Sequence, residues 1–565
     1  MDMNKRHELG QTPAHIRRRI LASAICTLGA TGAHAVEFDT GNPDLTVRLD
    51  NSVKASTLYR LKDANPVLAN SFVNGAPSAL NLNAGDDNFR NKGFVSERVD
   101  LLPEFDLVYQ KTFGMRVSGA AWYDHAVRNS TKATDTFNGQ TPYNSLPDYT
   151  RREAGRKAEL MDAFVFGGWD LGDDKKLTVR LGRHALQWGE SLFYGDNAIA
   201  RAQGPIDIYK LLASPNAQFK EIIRPVPQVS TQLQLSSDVS VGGYYQFGWE
   251  ADRLPPAGSY FSTSNIPWGK SPYPELINLG PPLGAYQLTP DGDHKPSRSG
   301  QFGLQLKWRV DDTDLGFYFA RYHDKGGQLY GQINPAGTPD AAGNLPGSWY
   351  YAFPKGVRVV GVSASHSFGD YNVSVEGSIR DNMPLRNLGM LYGFFPGQPA
   401  PTPATGRTAH LNLSWLGIYG PNFLANESGL VGEIAWNRVL SKTDPEQMLD
   451  TGRTRDATAI QLVYTMTYRQ VLPGLDINIP LGVRYTIDGN SSVTSWDAKK
   501  IGSWTLGLAG NYLGAWQLSA SYTNYFGKAA PYINYAPANG GPPNLGLGNS
   551  LADRDFLALS VSRTF

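Results

Sequence analysis

The sequence predicts an all-β chain: a transmembrane antiparallel β-barrel of about 18 strands, with roughly 16–20 possible. Three observations predict it. Runs of period-two alternation cover the chain from residue 45 to its end, short and long connections alternate strictly between them, and the last run closes on an amphipathic strand ending in Phe565. Composition agrees by exclusion. With 52 Lys+Arg against 51 Asp+Glu there is no electrostatic case for a nucleic-acid partner, and 41% hydrophobic residues is too many for a disordered chain. No uninterrupted apolar stretch reaches the ~18 residues of a membrane helix. Length alone would allow two to four soluble domains, but 18% charged residues, 60 glycines and 11% aromatics favour a β structure whose outer face meets lipid.

Residues 1–35 read as a secretory signal. Lys5, Arg6 and Arg17-Arg18-Arg19 precede an apolar stretch from Ile20 to Ala33, and Ala33-His34-Ala35 offers small residues for cleavage after Ala35. The single cysteine, Cys26, lies inside this segment, behind an Ile where a lipoprotein signal needs a small residue. Disulfide and thiol chemistry are therefore not expected of the mature chain. Removing the leader leaves 47 positive and 49 negative groups, so residues 36–565, expected to form one barrel domain, are close to neutral.

The alternating runs follow in order. Leu45–Tyr59, Val99–Tyr109 and Met115–Tyr123 open the series, followed by runs near 158–171, 176–189, 227–236, 239–250, 300–309 and 315–323. The remainder lie near 357–368, 371–381, 408–419, 429–439, 457–470, 475–487, 500–512, 516–526 and 555–565. Tight turns such as Gly172-Asp173-Asp174-Lys175 and Leu472-Pro473-Gly474 alternate with long segments near 63–94, 128–156, 190–225, 251–298, 324–350, 383–407 and 527–552. Short periplasmic turns on one rim and long extracellular loops on the other give this rhythm, and an even strand count returns both termini to one side. A propeller also strings together short strands, but no blade-length repeat is visible. Leu557, Leu559, Val561 and Phe565 on one face of the last strand fit the signal read by the outer-membrane assembly machinery, and the expected location is the bacterial outer membrane, among its lipids.

Within the strands the polar phase points inward. Gln228, Ser230, Gln232 and Gln234 alternate with Val229, Thr231, Leu233 and Leu235, and Asn372, Ser374, Glu376 and Arg380 oppose Val373, Val375 and Ile379. This phase sends Arg48, Asp50, Lys54, Asp100, Glu104, Asp106, Arg116, Asp124, Glu376, Arg380, Glu433, Asp476 and Arg484 to the lumen. The mixture of signs argues against charge selection as the main device, and ion pairs bracing the wall are the plainer role. Trp122, Trp169, Trp188, Trp249, Trp308, Trp415 and Trp436 stand near strand ends and are expected at the membrane interface.

The loops are unusually apolar. Segment 251–298 contains Leu254-Pro255-Pro256, Ile266-Pro267-Trp268, Tyr273-Pro274, Leu276-Ile277 and Pro281-Pro282-Leu283, and 206–212 could form a short helix. Such loops either pack on one another or offer a greasy surface to a ligand, and those near 63–94, 190–225 and 251–298 are candidates for folding into the lumen. No catalytic or metal motif stands out, so neither an enzyme nor a cofactor is expected. The histidines are scattered, Gly361-Val362-Ser363-Ala364-Ser365 lacks the last glycine of a nucleophile elbow, and Gly269-Lys270-Ser271 has Ser264 where a phosphate loop needs its first glycine.

At Leu181-Gly182-Arg183-His184-Ala185-Leu186-Gln187-Trp188-Gly189-Glu190-Ser191 the chain resembles a proteobacterial envelope family catalogued as domain of unknown function 1302, whose members carry Gly-Arg followed by Trp-Gly-Glu-Ser at a strand end. The resemblance continues through Arg224-Pro225, Tyr244–Glu250, Asp381-Asn382-Met383-Pro384-Leu385 and Val471–Leu475, with a departure near 196–207, where Asp196-Asn197 and Gly204-Pro205 replace an expected Asn-Pro element. It implies an outer-membrane protein often encoded beside a periplasmic lipid-carrier-like protein and an inner-membrane exporter, and hence movement of hydrophobic molecules across the envelope. Arg183, Trp188, Glu190 and Ser191 are the positions carried over as important. With Glu376, Arg380 and Glu433 they form the candidate lumen or loop-anchoring set, and Arg183 paired to Glu190 could pin the following loop to the wall. The leading expectation is a channel or transporter for hydrophobic, lipid-like small molecules. A general porin for small polar solutes and a structural or adhesion barrel are the alternatives.

Overall fold

The computed structural model describes residues 36–534 and 544–565, apart from 74–75, 82, 129–145, 215–218, 266–274, 280–283, 387–390, 396 and 448. The expected leader with its cleavage point, the Ile266-Pro267-Trp268, Tyr273-Pro274 and Pro281-Pro282-Leu283 segments, and Gly269-Lys270-Ser271 thus lie wholly or largely outside the described residues. Each alternating run becomes a strand. They are β1 (Leu45–Arg60), β2 (Gly93–Tyr109), β3 (Phe113–Asp124), β4 (Arg156–Gly172), β5 (Lys175–His184), β6 (Val226–Gln234), β7 (Val239–Gln246), β8 (Gln301–Val310) and β9 (Thr313–Tyr322). There follow β10 (Val357–Phe368), β11 (Tyr371–Pro384), β12 (Thr405–Tyr419), β13 (Glu427–Lys442), β14 (Asp456–Leu472), β15 (Leu475–Asp488), β16 (Gly502–Tyr512), β17 (Trp516–Phe526) and β18 (Phe556–Thr564).

Neighbours in sequence pair antiparallel, and β18 pairs with both β17 and β1, from Ser52 opposite Thr564 to Arg60 opposite Phe556, so the eighteen strands close into a barrel. Beyond the end of β18 the seam is carried on by Val36–Phe38, which pairs with Val47–Leu49, and by Asn51 and Phe565, which exchange both backbone hydrogen bonds at 2.6 and 2.9 Å. Among the described residues each of the eighteen barrel strands is paired on both sides, as a lipid environment requires. At the other end of the seam Arg60 of β1 meets Asp86 (3.2 Å) and Asp553 (2.9 Å), and Arg554 meets Asp86 (3.0 Å), tying two loops to the barrel through four buried charges.

The period of two sorts side chains as lipid demands. Along β10, Val360 and Val362 are 61% and 52% exposed while Val359 and Ser363 are buried. Leu557 and Leu559 of β18 point outward in the same way. At the short-turn rim Trp169, Trp308, Phe113 and Tyr371 are exposed, and at the long-loop rim Tyr59, Phe94, Tyr123 and Phe247 are, giving two aromatic girdles. The short turns use residues that tolerate left-handed backbone: Gly172, Asp173 and Asp174 have φ of 77°, 49° and 63°. Three tryptophans depart from the interface placement expected of them. Trp122, Trp188 and Trp249 are buried, facing the lumen or the loops, because each sits on the inward phase or beyond its strand's end.

Above the long-loop rim, segments Glu275–Asn278, Ala285–Pro290, Leu345–Ala352, Gln328–Ile333 and Leu391–Tyr392 form a separate five-stranded sheet in that order. Ile277, Tyr286, Leu288, Ile333, Trp349 and Tyr351 fill its core. Among the described residues of 251–298, loop packing on loop therefore accounts for the apolar character of Ile277, Tyr286 and Leu288.

Candidate functional site

The connection between β5 and β6, the inner loop, runs inside the barrel over its described residues 185–214 and 219–225. Buried backbone amides need partners, and the wall supplies them as charges. Alternation turns Glu376 and Arg380 of β11, His410 and Asn412 of β12, and Glu433 and Asn437 of β13 inward, all buried. Glu433 accepts the amides of Leu192 and Tyr194 at 3.0 Å each, that of Phe193, the Ser191 hydroxyl at 2.8 Å and the Asn412 amide at 2.6 Å. Glu376 accepts the amides of Glu190 (2.8 Å) and Ile199. Arg380 does the converse, donating to the carbonyls of Asp196 (3.1 Å), Asn197 (2.6 Å) and Ala198 (2.8 Å). The loop's dipoles compensate three wall charges that would otherwise be buried at great cost.

The Trp-Gly-Glu-Ser motif is the hinge of this clamp. Trp188 docks edge-on against Tyr244, with ring centroids 4.9 Å apart. Gly303 leaves the room for it: a Cβ there would lie 3.0 Å from the Trp188 ring. Gly189 has φ +92°, and its missing Cβ would stand 2.1 Å from Glu376 Oε2. Glu190 pairs with Lys307 of β8 at 2.7 Å, and Ser191 caps Glu433. Beyond the motif, Asn197 is fully buried and fully bonded: its amide donates to Asn412 (2.9 Å) and the Trp436 carbonyl (3.1 Å), and its oxygen meets His410 (2.8 Å) and Asn437 (3.2 Å).

Of the candidate residues, Trp188, Glu190, Ser191, Glu376, Arg380 and Glu433 are thus brought together. Arg183 stands apart, and its expected pairing with Glu190 is not formed. It binds Glu250 at 2.9 Å, and Glu250 also takes Arg224 at 2.9 Å, while Arg253 bridges Glu159 and Asp207. That chain ties the foot of the inner loop to the loop after β7. Burial would raise the Glu250 carboxyl, but Arg183 and Arg224 carry it below its ordinary range. Sequence reasoning missed Asn197, His410 and Asn412. The usable signal was the inward phase of β12, His410-Leu411-Asn412-Leu413-Ser414, together with the departure at Asp196-Asn197.

The inner loop reaches the opposite wall as well. Its helix Ile208–Ala213, capped by Asp207 through the Lys210 amide at 2.8 Å, and the turn Phe219–Ile222 carry Lys210 and Glu221 to β1, where Lys54 lies 3.3 Å from Glu221. From above, Arg201 is held by both Asp252 oxygens (3.0 and 2.8 Å), and Lys325 lies 3.4 Å from the carbonyls of Arg201 and Ala202. Burial, with Arg201 nearby, pushes the Lys325 ammonium down to about 7.

The loop therefore divides the lumen. Against β7–β13 it packs dry, on Tyr244, Tyr318, Tyr322, Val359 and Met383. Along β15–β18 and β1 the wall instead faces open space: Ser52, Lys54, Asn478, Asn511, Gln517 and Ser519, with Glu221 from the inner loop, border a cavity of about 230 Å³. Among the described residues no cluster of His, Cys, Asp or Glu could hold a metal ion.

A family described as "Protein of unknown function (DUF1302)" matches residues 16–565. No curated protein matches the chain. Solved structures similar in fold include Acinetobacter baumannii OccAB1 (10% identity, 94% of this chain and 98% of that chain, TM-score 0.42) and OccAB3 (9%, 92% and 99%, 0.40). Pseudomonas aeruginosa OccK2, solved in complex with glucuronate, is 11% identical over 92% of this chain and 97% of that chain, with a TM-score of 0.36.

Proposed function

The chain belongs to the DUF1302 family, and from that membership and its own geometry we propose that it is an outer-membrane channel passing small solutes along a polar lane beside a clamped inner loop. The observation that carries this reading is the cavity bordered by serine, asparagine and glutamine on β15–β18 and β1. A barrel meant only for structure or adhesion has no need of a polar cavity along its inner wall. In this reading the leader is cleaved after Ala35, and the closing strand, with Leu557, Leu559, Val561 and Phe565, addresses the chain to the assembly machinery. Liposome swelling with sugars of graded size tests the proposal. Entry that is fast for the smallest sugars and cut off with size is expected, and swelling no faster than in protein-free vesicles overturns it.

A second reading, movement of hydrophobic or lipid-like molecules in concert with a periplasmic carrier and an inner-membrane exporter, is favoured by one feature. Leu192 and Leu211 of the inner loop stay 47% and 50% exposed instead of packing into its core. Extraction of the purified barrel with organic solvent, followed by mass spectrometry, should recover bound small hydrophobes under this reading. A clean extract counts against it.

A further inference from the structure

The short-turn end of the lumen holds a second cavity, of about 560 Å³, between β1 and β5. Its charge is uneven: Arg48, Lys111, Arg116, Lys176 and Arg180 border it against the single acid Asp106. Arg116 grips Asp106 with two bonds, at 2.6 and 2.7 Å, and Arg48 pairs with Asp50 at 2.8 Å. Lys111, Lys176 and Arg180 have no acidic partner among the described residues. Three like charges around one cavity repel each other, an arrangement that costs stability unless an anion answers it.

The same wall breaks the rule that inward residues are polar. After Asp162, β4 turns Phe164 and Phe166 into the cavity, with ring centroids 6.3 Å apart. Opposite them the neighbouring strands carry glycine, Gly182 across from Phe164 and Gly114 across from Phe166. A Cβ on Gly114 would lie 2.7 Å from the Phe166 ring, and one on Gly182 2.7 Å from the Phe164 backbone, so larger residues would displace both. The Arg180 guanidinium stands 5.7 Å from the centre of the Phe164 ring.

Cations without acids beside an aromatic floor select for a ligand with both characters. We infer that this cavity binds a small organic anion with an apolar body, its carboxylate or phosphate on Lys111, Lys176 and Arg180 and its apolar part on Phe164 and Phe166. The inference deepens the channel reading by naming a solute class, and rests on that reading only for the route by which the solute arrives. The volume suits a ligand of this kind.

The test uses the full mature barrel in detergent and equilibrium dialysis with phenylacetate, against phenylacetamide, which lacks the charge, and acetate, which lacks the ring. Phenylacetate should be retained at least about fivefold better than either. Retention should fall by a similar factor in the K111Q/K176Q/R180Q variant and in F164S/F166S, with heat-modifiable gel mobility verifying that each barrel is folded. Should a multiple variant fail to fold, K176Q and R180Q singly, each at a water-facing position, carry the comparison. Equal retention of phenylacetate and phenylacetamide, or retention unchanged in the folded variants, overturns the inference. Planar-bilayer recordings on the same samples separate it from the parent reading: retention without conductance leaves the site and removes the channel, and conductance without retention does the reverse.

Discussion

Along β11–β13 the inward positions Glu376, Arg380, His410, Asn412, Glu433 and Asn437 are all bonded to the inner loop, whereas Asn478, Asn511, Gln517, Ser519 and Ser560 on β15–β18 are bonded, among the described residues, only to the wall if at all. Both regions follow the same alternation, yet one is packed against the inner loop and the other faces open space. The difference lies in what stands opposite. A charge facing a backbone segment replaces its water with amides or carbonyls and becomes a fastener. A hydroxyl or carboxamide facing space keeps its water and becomes a lining.

Breaking the fastener should have the largest effect. Glu433→Ala strands the Leu192, Phe193 and Tyr194 amides and the Asn412 side chain at once, which should loosen loop docking by about 3–5 kcal/mol while the β-ladder of the barrel stays intact. Single-channel conductance should rise and become noisy, and protease should nick the inner loop. A variant with unchanged conductance and a resistant loop would mean that Glu433 is not what holds the lumen divided. Gly189→Ala attacks the same clamp from the loop side. Its Cβ has no room beside Glu376 and its φ of +92° is unfavourable for alanine, so a loss of about 2–3 kcal/mol is expected. The change should mimic Glu433→Ala in weaker form, read by the same proteolysis.

The unequal legibility of strands and clamp follows from range. Period-two alternation is local, so every strand, from Leu45–Arg60 to Phe556–Thr564, could be read from its own residues together with its inward polar phase, though alternation alone does not tell the packed side of the lumen from the open one. The clamp is not local. Glu376 and Glu190 are 186 residues apart, and Glu433 and Ser191 are 242 apart, and nothing in either neighbourhood names the other. The motif at Trp188–Ser191 was visible as a motif, but why glycine follows tryptophan became clear only with the Glu376 oxygen beside it. Trp188 itself was misplaced at the interface because an aromatic near a strand end looks the same whether lipid or a folded-back loop awaits it.

On the open side the comparison sharpens with Ser519→Trp. Among the described residues the Ser519 hydroxyl is joined only to Ser560, at 2.7 Å, and an indole projecting from β17 would fill part of the lane without touching the clamp. Conductance should drop by roughly half, with the inner loop as protease-resistant as before. A conductance indifferent to this substitution would place the route elsewhere.

The smallest effect is a pH dependence of the clamped side. Lys325 touches the inner loop through the Arg201 and Ala202 carbonyls, and its ammonium faces Arg201, Asp252, Asp324 and the Tyr322 ring. Its proton is lost near pH 7 in the folded protein against 10.5 for an ordinary lysine. Between those values the unfolded or released loop binds more protons than the docked one, so docking strengthens as pH rises through that window. Below about 7 both states carry the charge and the docked one bears the full cost of burying it. The inner loop should accordingly be nicked faster at pH 6 than at pH 9 by a protease active at both. Lys325→Met, which keeps the stem and removes the charge, should flatten that difference and slow nicking at pH 6. Equal pH profiles for the two proteins would show that Lys325 is no part of the fastening, and a profile of opposite slope in the wild-type protein would shift attention to the carboxylates, whose buried forms titrate in the other direction.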